Sequence, residues 1–170
     1  MIVLVLGGTR SGKSGAAESI AESLGSAVTY VATAAVNPDD ADLAARVAAH
    51  QARRPAQWAT VECEEPEDLP RFLRDIDGVV LVDSLGTWVA RHPDLGVEAD
   101  GLLDALARRS DPAVVVSEEV GMSVHAPTEL GRRFADVLGM LNQQVAAVAD
   151  RVLLVVAGRV LELPGSDGVA

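Results

Sequence analysis

Lysine is almost missing from this 170-residue chain: Lys13 is the single lysine among 14 basic side chains, and arginine supplies every other one. Aromatic residues are scarce too, at 3% against 49% hydrophobic residues overall. The core must therefore be filled by Val, Leu, Ala and Ile, the usual content of a buried parallel sheet. A lone cysteine, Cys63, can form neither an internal disulfide nor a Cys-based zinc site, which fits a reducing cytoplasm and an idle thiol. No apolar run approaches the roughly 18 residues of a membrane span. IVLVL follows Met1 with no basic segment before it, so the expected location is the cytoplasm, with neither export nor a membrane span. Positive charge is in deficit overall, with a formal net charge of -11 and a pI near 4.6. An acidic surface repels phosphate backbones, which argues against nucleic acid as a partner, whereas a small nucleotide in a local basic pocket stays compatible.

The length suits one domain, expected over 1–163, with the polar, glycine-rich end at 164–170 as a flexible tail. Short apolar runs recur at 2–6, 27–33, 78–83, 113–117 and 151–158 and predict buried parallel strands. Helical periodicity lies between them at 13–24, 39–53, 67–75, 96–109 and 129–149, the last opening at a capping residue, Thr128. WATVE at 58–62 adds a short strand, and RVLEL at 159–163 an antiparallel hairpin edge. Alternating strand and helix predict an α/β fold, a mostly parallel sheet with helices on both faces and its ligand beyond the carboxyl ends of the strands.

The loop Gly7-Gly8-Thr9-Arg10-Ser11-Gly12-Lys13-Ser14 satisfies G-x-x-x-x-G-K-[ST] directly after an apolar strand and before a helix. That is the context a phosphate-binding P-loop requires. Glycines let successive backbone N–H groups turn inward on a phosphate, and the helix adds its positive end. Lys13 then reaches the β- and γ-phosphates, and the Ser14 hydroxyl holds Mg²⁺. A compact, rotatable ammonium suits this place better than a planar fork, which gives a reason to keep one lysine in an arginine-using chain. Asp83 ends the run Val79-Val80-Leu81-Val82, where a Mg²⁺-directed carboxylate belongs, although a turn or capping aspartate also fits. Glu118 and Glu119 follow the next apolar run and reach the same rim, as a base, a metal partner or solvated carboxylates.

A second constellation lies at RVAAHQARRPAQW, Arg46 to Trp58. If it is helical up to the break at Pro55, Arg46, His50, Arg53 and Arg54 share one face. Three guanidiniums form a phosphate grip and disfavour protonation of the imidazole, and a neutral imidazole can attack phosphorus. A solvated basic face with an incidental histidine is the alternative reading of the same spacing.

With GGTRSGKS, YVATA at 30–34, RVAAHQARRPAQWATVE at 46–62, VLVDSLGTWVAR at 80–91, VVVSEEVG at 114–121 and LGRRFADVLGMLNQQVAAVADRVLLVVAG at 130–158, the chain resembles the bifunctional adenosylcobinamide kinase / adenosylcobinamide-phosphate guanylyltransferase family of cobalamin biosynthesis. The resemblance implies a three-layer, RecA-like P-loop NTPase fold, a homotrimer, and two reactions on one corrinoid arm. First, the hydroxyl of adenosylcobinamide takes the γ-phosphate of a nucleoside triphosphate, ATP or GTP. Then the family's histidine, which maps onto His50, attacks the α-phosphate of GTP and passes GMP to adenosylcobinamide phosphate, giving adenosylcobinamide-GDP. The same matching implies nucleotide contacts from Gly7 to Ser14, Thr33, Ala34, Ala35, Gln51, Ala52, Arg53, Arg54, Glu62 and Asp83, with Ser14 and Asp83 at the metal. The chain departs from the usual family pattern at Ala35, Ser84-Leu85-Gly86, Glu118 and the run MSVHAPTELG, in which His125 reads as loop surface. Two other functions fit the bare motifs: a P-loop kinase of another small metabolite, and a GTP-binding module without turnover. The absence of a guanine-reading N-K-x-D weakens the last.

Overall fold

The computed structural model of the chain describes residues 1–34, 54–122 and 126–165. Within them, seven strands form one sheet: β1 (Ile2–Gly7), β2 (Val28–Ala32), β3 (Ala59–Glu62), β4 (Val79–Asp83), β5 (Ala113–Glu118), β6 (Arg151–Val156) and β7 (Arg159–Leu163). Their order across the sheet is β3-β2-β4-β5-β1-β6-β7. Every neighbouring pair is parallel except β6–β7, an antiparallel hairpin that closes one edge. The helices are α1 (Lys13–Leu24), α2 (Leu69–Asp75), α3 (Leu85–Arg91), α4 (Asp100–Arg108) and α5 (Glu129–Val148).

Strand alternation divides the core in two. Leu4 and Leu6 of β1, Val80 and Val82 of β4, and Val115 of β5 face one way and pack on Leu69, Trp88, Leu106 and Leu138 of α2 to α5. Val3 and Val5, Val79 and Leu81, and Val114 and Val116 face the other way and meet Ala17 and Ala21 of α1, with Tyr30 and Trp58. The low aromatic content is answered here by branched aliphatic side chains that are fully buried on both faces of the central strands. Removing one of them, as in Leu4→Ala, costs roughly 2–5 kcal/mol by lost transfer and a residual cavity. Small residues on α1 let that helix lie close to β1, and this closeness carries the loop before it onto the sheet's carboxyl edge.

The predicted alternation is present, with three differences. The segment 85–91 is a helix that periodicity did not reveal, because Ser84-Leu85-Gly86-Thr87 reads as a turn; Ser84 caps it, its hydroxyl accepting from the Thr87 N–H while the Thr87 hydroxyl accepts from the Ser84 N–H. The helix expected over 67–75 begins as a 3-10 turn at Pro66–Asp68, since Pro66 and Pro70 interrupt the donor ladder. The helix expected over 96–109 is shorter, Asp100–Arg108. The helix expected over 39–53 lies outside the described residues, as do the last five positions of the expected tail.

Candidate functional site

β1 ends at Gly7, and the chain turns at once into the loop that α1 continues. A Cβ on Gly7 would stand 2.8 Å from the Val155 carbonyl oxygen, so only glycine lets β1 approach β6 here. Gly12, at φ 96°, takes the left-handed conformation that starts α1. Ser11 is nearly buried and anchors the turn: its N–H donates to the Gly8 carbonyl at 3.2 Å, its carbonyl accepts from Gly158 of the β6–β7 turn at 2.8 Å, and its hydroxyl accepts from the Lys13 N–H at 3.3 Å. The edge hairpin thus braces the phosphate loop. Thr9 and Arg10 project from its outer side and are exposed.

Lys13 has weak internal company. Its ammonium lies 3.5 Å from the Gly8 carbonyl and 3.5 Å from Glu118 Oε1, both at the outer limit of contact. That leaves most of the donor capacity of a side chain only 13% exposed for a ligand. Glu118 ends β5, which lies between β1 and β4. Its carboxylate accepts from the Ser84 hydroxyl at 2.9 and 3.0 Å and from the Gly86 N–H at 3.0 Å, and a side chain at position 86 would collide with it. Asn142 of α5 fixes the same strand end from below, donating to the Glu118 carbonyl at 3.0 Å and accepting from the Ser117 hydroxyl at 2.6 Å.

Asp83 ends β4, and its Oδ2 accepts from the Tyr30 hydroxyl at 3.0 Å. Burial and the Asp83 carboxylate both push the Tyr30 phenol far above its usual range, so it stays a donor. Across the Tyr30 ring lies Arg54, its guanidinium carbon 3.2 Å from the ring centroid and one nitrogen 3.4 Å from the Thr60 hydroxyl. The Arg54 Nε is buried without a hydrogen-bond partner among the described residues. Thr33 follows β2 and is fully buried; its hydroxyl donates to the Ser84 carbonyl at 2.6 Å and accepts from the Ser84 N–H at 2.8 Å. Glu62 ends the edge strand β3 and is exposed, and Ala34 follows Thr33. Arg46, His50, Gln51, Ala52 and Arg53, together with Ala35 and His125, lie outside the described residues.

The structure therefore gathers Lys13, Ser14, Asp83 and Glu118 along one carboxyl edge and brings Arg54 to Asp83 through Tyr30. Sequence reasoning missed Tyr30, Arg91 and Asn142 as parts of this rim, and it set Ser84 and Gly86 there only as departures from the family pattern, without their hold on Glu118. Arg91 donates to the carbonyls of Thr33, Cys63 and Glu64, binding the ends of β2 and β3 to α3. Ser-x-x-Thr immediately after a strand, and a single Asn inside the apolar stripe of α5, were the available signals.

A loop-bearing strand separated by one inserted strand from an aspartate-bearing strand is the arrangement of the RecA-like P-loop fold, and this protein has that fold. Flagellar accessory protein FlaH from Methanocaldococcus jannaschii is similar over 94% of this chain and 74% of its own, with a TM-score of 0.52 and 12% identity, a likeness of fold alone. Residues 3–163 match the cobinamide kinase / cobinamide phosphate guanyltransferase family, and the chain belongs to it. It is 40% identical to the bifunctional adenosylcobalamin biosynthesis protein CobP of Pseudomonas aeruginosa, covering 95% of this chain and 96% of that protein. It is 35% identical to the bifunctional protein CobU of Escherichia coli, covering 93% and 97%.

Proposed function

We propose that this protein phosphorylates adenosylcobinamide and then converts adenosylcobinamide phosphate to adenosylcobinamide-GDP with GTP, through a guanylylated His50. The observation that carries the reading is the braced P-loop with its loosely held Lys13 in a chain matching the family over 3–163. In the first reaction the loop N–H groups of Gly8 to Lys13 orient the triphosphate of ATP or GTP, and Lys13 offsets the charge that spreads over the γ-phosphoryl oxygens during transfer. In the second, an imidazole nitrogen of His50 bonds to the α-phosphorus of GTP and pyrophosphate departs; the phosphate of the corrinoid then displaces the histidine and takes GMP. Arg46, Arg53 and Arg54 hold phosphate charge beside that histidine, Arg54 with its Nε unpartnered among the described residues. Thr33, Ala34, Ala35, Gln51, Ala52 and Glu62 complete the nucleotide contacts.

Ser14 and Asp83 supply a hydroxyl and a carboxylate, hard oxygen donors that suit Mg²⁺. Among the described residues no three His, Cys, Asp or Glu side chains cluster as a metal cage, and an ion held largely by phosphates and water needs none. When bound, Mg²⁺ neutralises phosphate charge and orients the transferring group. Tyr30 holds Asp83 Oδ2 from the buried side, which fixes the direction in which that carboxylate presents itself. The site works in the cytoplasm as a homotrimer in this reading. Separate assays test it: purified protein given adenosylcobinamide and a nucleoside triphosphate should form adenosylcobinamide phosphate, and given that phosphate with GTP should form adenosylcobinamide-GDP and pyrophosphate. Formation of neither product would overturn the proposal.

A further inference from the structure

Phosphoryl transfer to an alcohol needs a proton acceptor, because the hydroxyl oxygen that bonds to the γ-phosphorus must shed its hydrogen. Three described carboxylates stand at the loop's rim, and their surroundings differ. Asp83 ends β4 and is held by the Tyr30 hydroxyl at 3.0 Å. Glu119 folds back on its own loop, its Oε1 accepting from the Gly121 N–H at 2.6 Å. Glu118 instead faces the phosphate loop, with Oε1 3.5 Å from the Lys13 ammonium.

Its two oxygens are held unequally. Oε2 accepts from the Gly86 N–H at 3.0 Å and the Ser84 hydroxyl at 3.0 Å, whereas Oε1 has the Ser84 hydroxyl at 2.9 Å and the long contact with Lys13. The absence of a side chain at Gly86 makes the room that Oε2 occupies, and Asn142 pins the Glu118 carbonyl at 3.0 Å. The one Ser84 hydroxyl proton serves one oxygen at a time, so Oε2 keeps the Gly86 N–H in either case, while Oε1 has only its share of Ser84 and the long Lys13 contact. A triphosphate in the loop attracts Lys13 more strongly than one carboxylate does, since the γ-phosphate carries more charge. With Lys13 drawn to a bound γ-phosphate, Oε1 would keep only its share of the Ser84 hydroxyl and have a lone pair open to a proton.

We propose that Glu118 is the general base of the kinase reaction, its Oε1 accepting the proton of the acceptor hydroxyl as that oxygen bonds to the γ-phosphorus and the nucleoside diphosphate leaves. Ser84 and Gly86 are its positioning residues. The step balances: one O–H bond breaks and one forms on Glu118, one P–O bond forms to the acceptor and one breaks to the leaving diphosphate. A side chain at this strand end that served only as a partner for Lys13 would not need two further donors and a glycine to orient it.

The inference rests on the kinase half of the proposed function, and the test separates the two. Wild-type protein, Glu118→Gln and Glu118→Ala are each assayed for γ-phosphoryl transfer to adenosylcobinamide, for guanylyl transfer to preformed adenosylcobinamide phosphate, and for the Kd of a fluorescent nucleoside triphosphate with Mg²⁺. In Glu118→Gln the ratio of γ-transfer to guanylyl transfer should fall by ~100-fold or more, as expected for loss of a proton acceptor. Nucleotide binding should persist, and formate should restore γ-transfer to Glu118→Ala by at least ~10-fold, by supplying the missing carboxylate. An unchanged ratio in Glu118→Gln, or no rescue by formate in a variant that still binds nucleotide, would overturn the role of Glu118. No γ-transfer by the wild-type protein would overturn the kinase reading itself and this role with it.

Discussion

Two cations of this molecule, Arg109 and Lys13, are used in opposite ways. At the amino ends of β4 and β5, Arg109 spreads its fork over backbone carbonyls, donating to Leu73 and Ile76 at 2.6 Å each and also to Gly78. It closes the carboxyl end of α2 onto the turn before β4, so its charge is answered by the protein itself. Burial lowers its pKa, as expected for a cation held by dipoles rather than by a directly paired carboxylate. At the carboxyl ends, the Lys13 ammonium has two contacts among the described residues, both at 3.5 Å. A cation whose fork is spread over backbone carbonyls serves the fold, and one placed mostly buried with only long contacts waits for an anion. A planar fork suits a set of carbonyls such as those around Arg109 and Arg91, and a point charge suits a phosphate that must move.

The contrast breaks first at Lys13. Lys13→Ala should lower γ-phosphoryl transfer by about 10³-fold while leaving the thermal midpoint within a degree or two, because the lost charge acts on the transferring group and little on the fold; steady-state kinetics beside a melting curve would check both halves. Arg109→Met should behave in reverse. It strips the donors from a set of buried carbonyls and should cost about 2–3 kcal/mol of stability in urea titration, while kcat of the folded fraction stays at the wild-type value. A third kind of cation sharpens the scale. Arg108 pairs with Asp104 at 2.5 Å on the exposed face of α4, and Arg108→Ala should move neither the unfolding midpoint nor kcat measurably, since water screens that pair.

Much of this fold was legible because the buried strands announce themselves. Val79 to Val82 and Ala113 to Val116 are uninterrupted apolar runs, closed by Asp83 directly and by Glu118 after Ser117, and both are central parallel strands with those carboxylates at the functional edge. The P-loop was legible for a similar reason: its glycines answer local backbone needs, and the φ of 96° at Gly12 is one of them. The rim residues were less visible because their roles depend on pairing across the sheet. Nothing near Gly86 in sequence says that the carboxylate of Glu118, on the neighbouring strand β5, occupies its missing side chain's place. Likewise, Tyr30 reads as a core aromatic in YVATA, and only the register of β2 against β4 sets its hydroxyl on Asp83. The short helix α3 escaped because its first turn is made by a cap, and caps are read from geometry more readily than from periodicity. The role of His50 came from the family pattern, since the spacing of its arginines suits a solvated face equally well.

In the proposed cycle this nucleotide site delivers GMP to a histidine as well as a phosphoryl group to an alcohol. The direct measurement is incubation of the purified protein with GTP labelled at the α-phosphate, followed by denaturation and counting of protein-bound label. A phosphoramidate on His50 predicts label that survives alkali, is released by acid, and is absent from His50→Ala. No label on the wild-type protein, or equal label on His50→Ala, would contradict it.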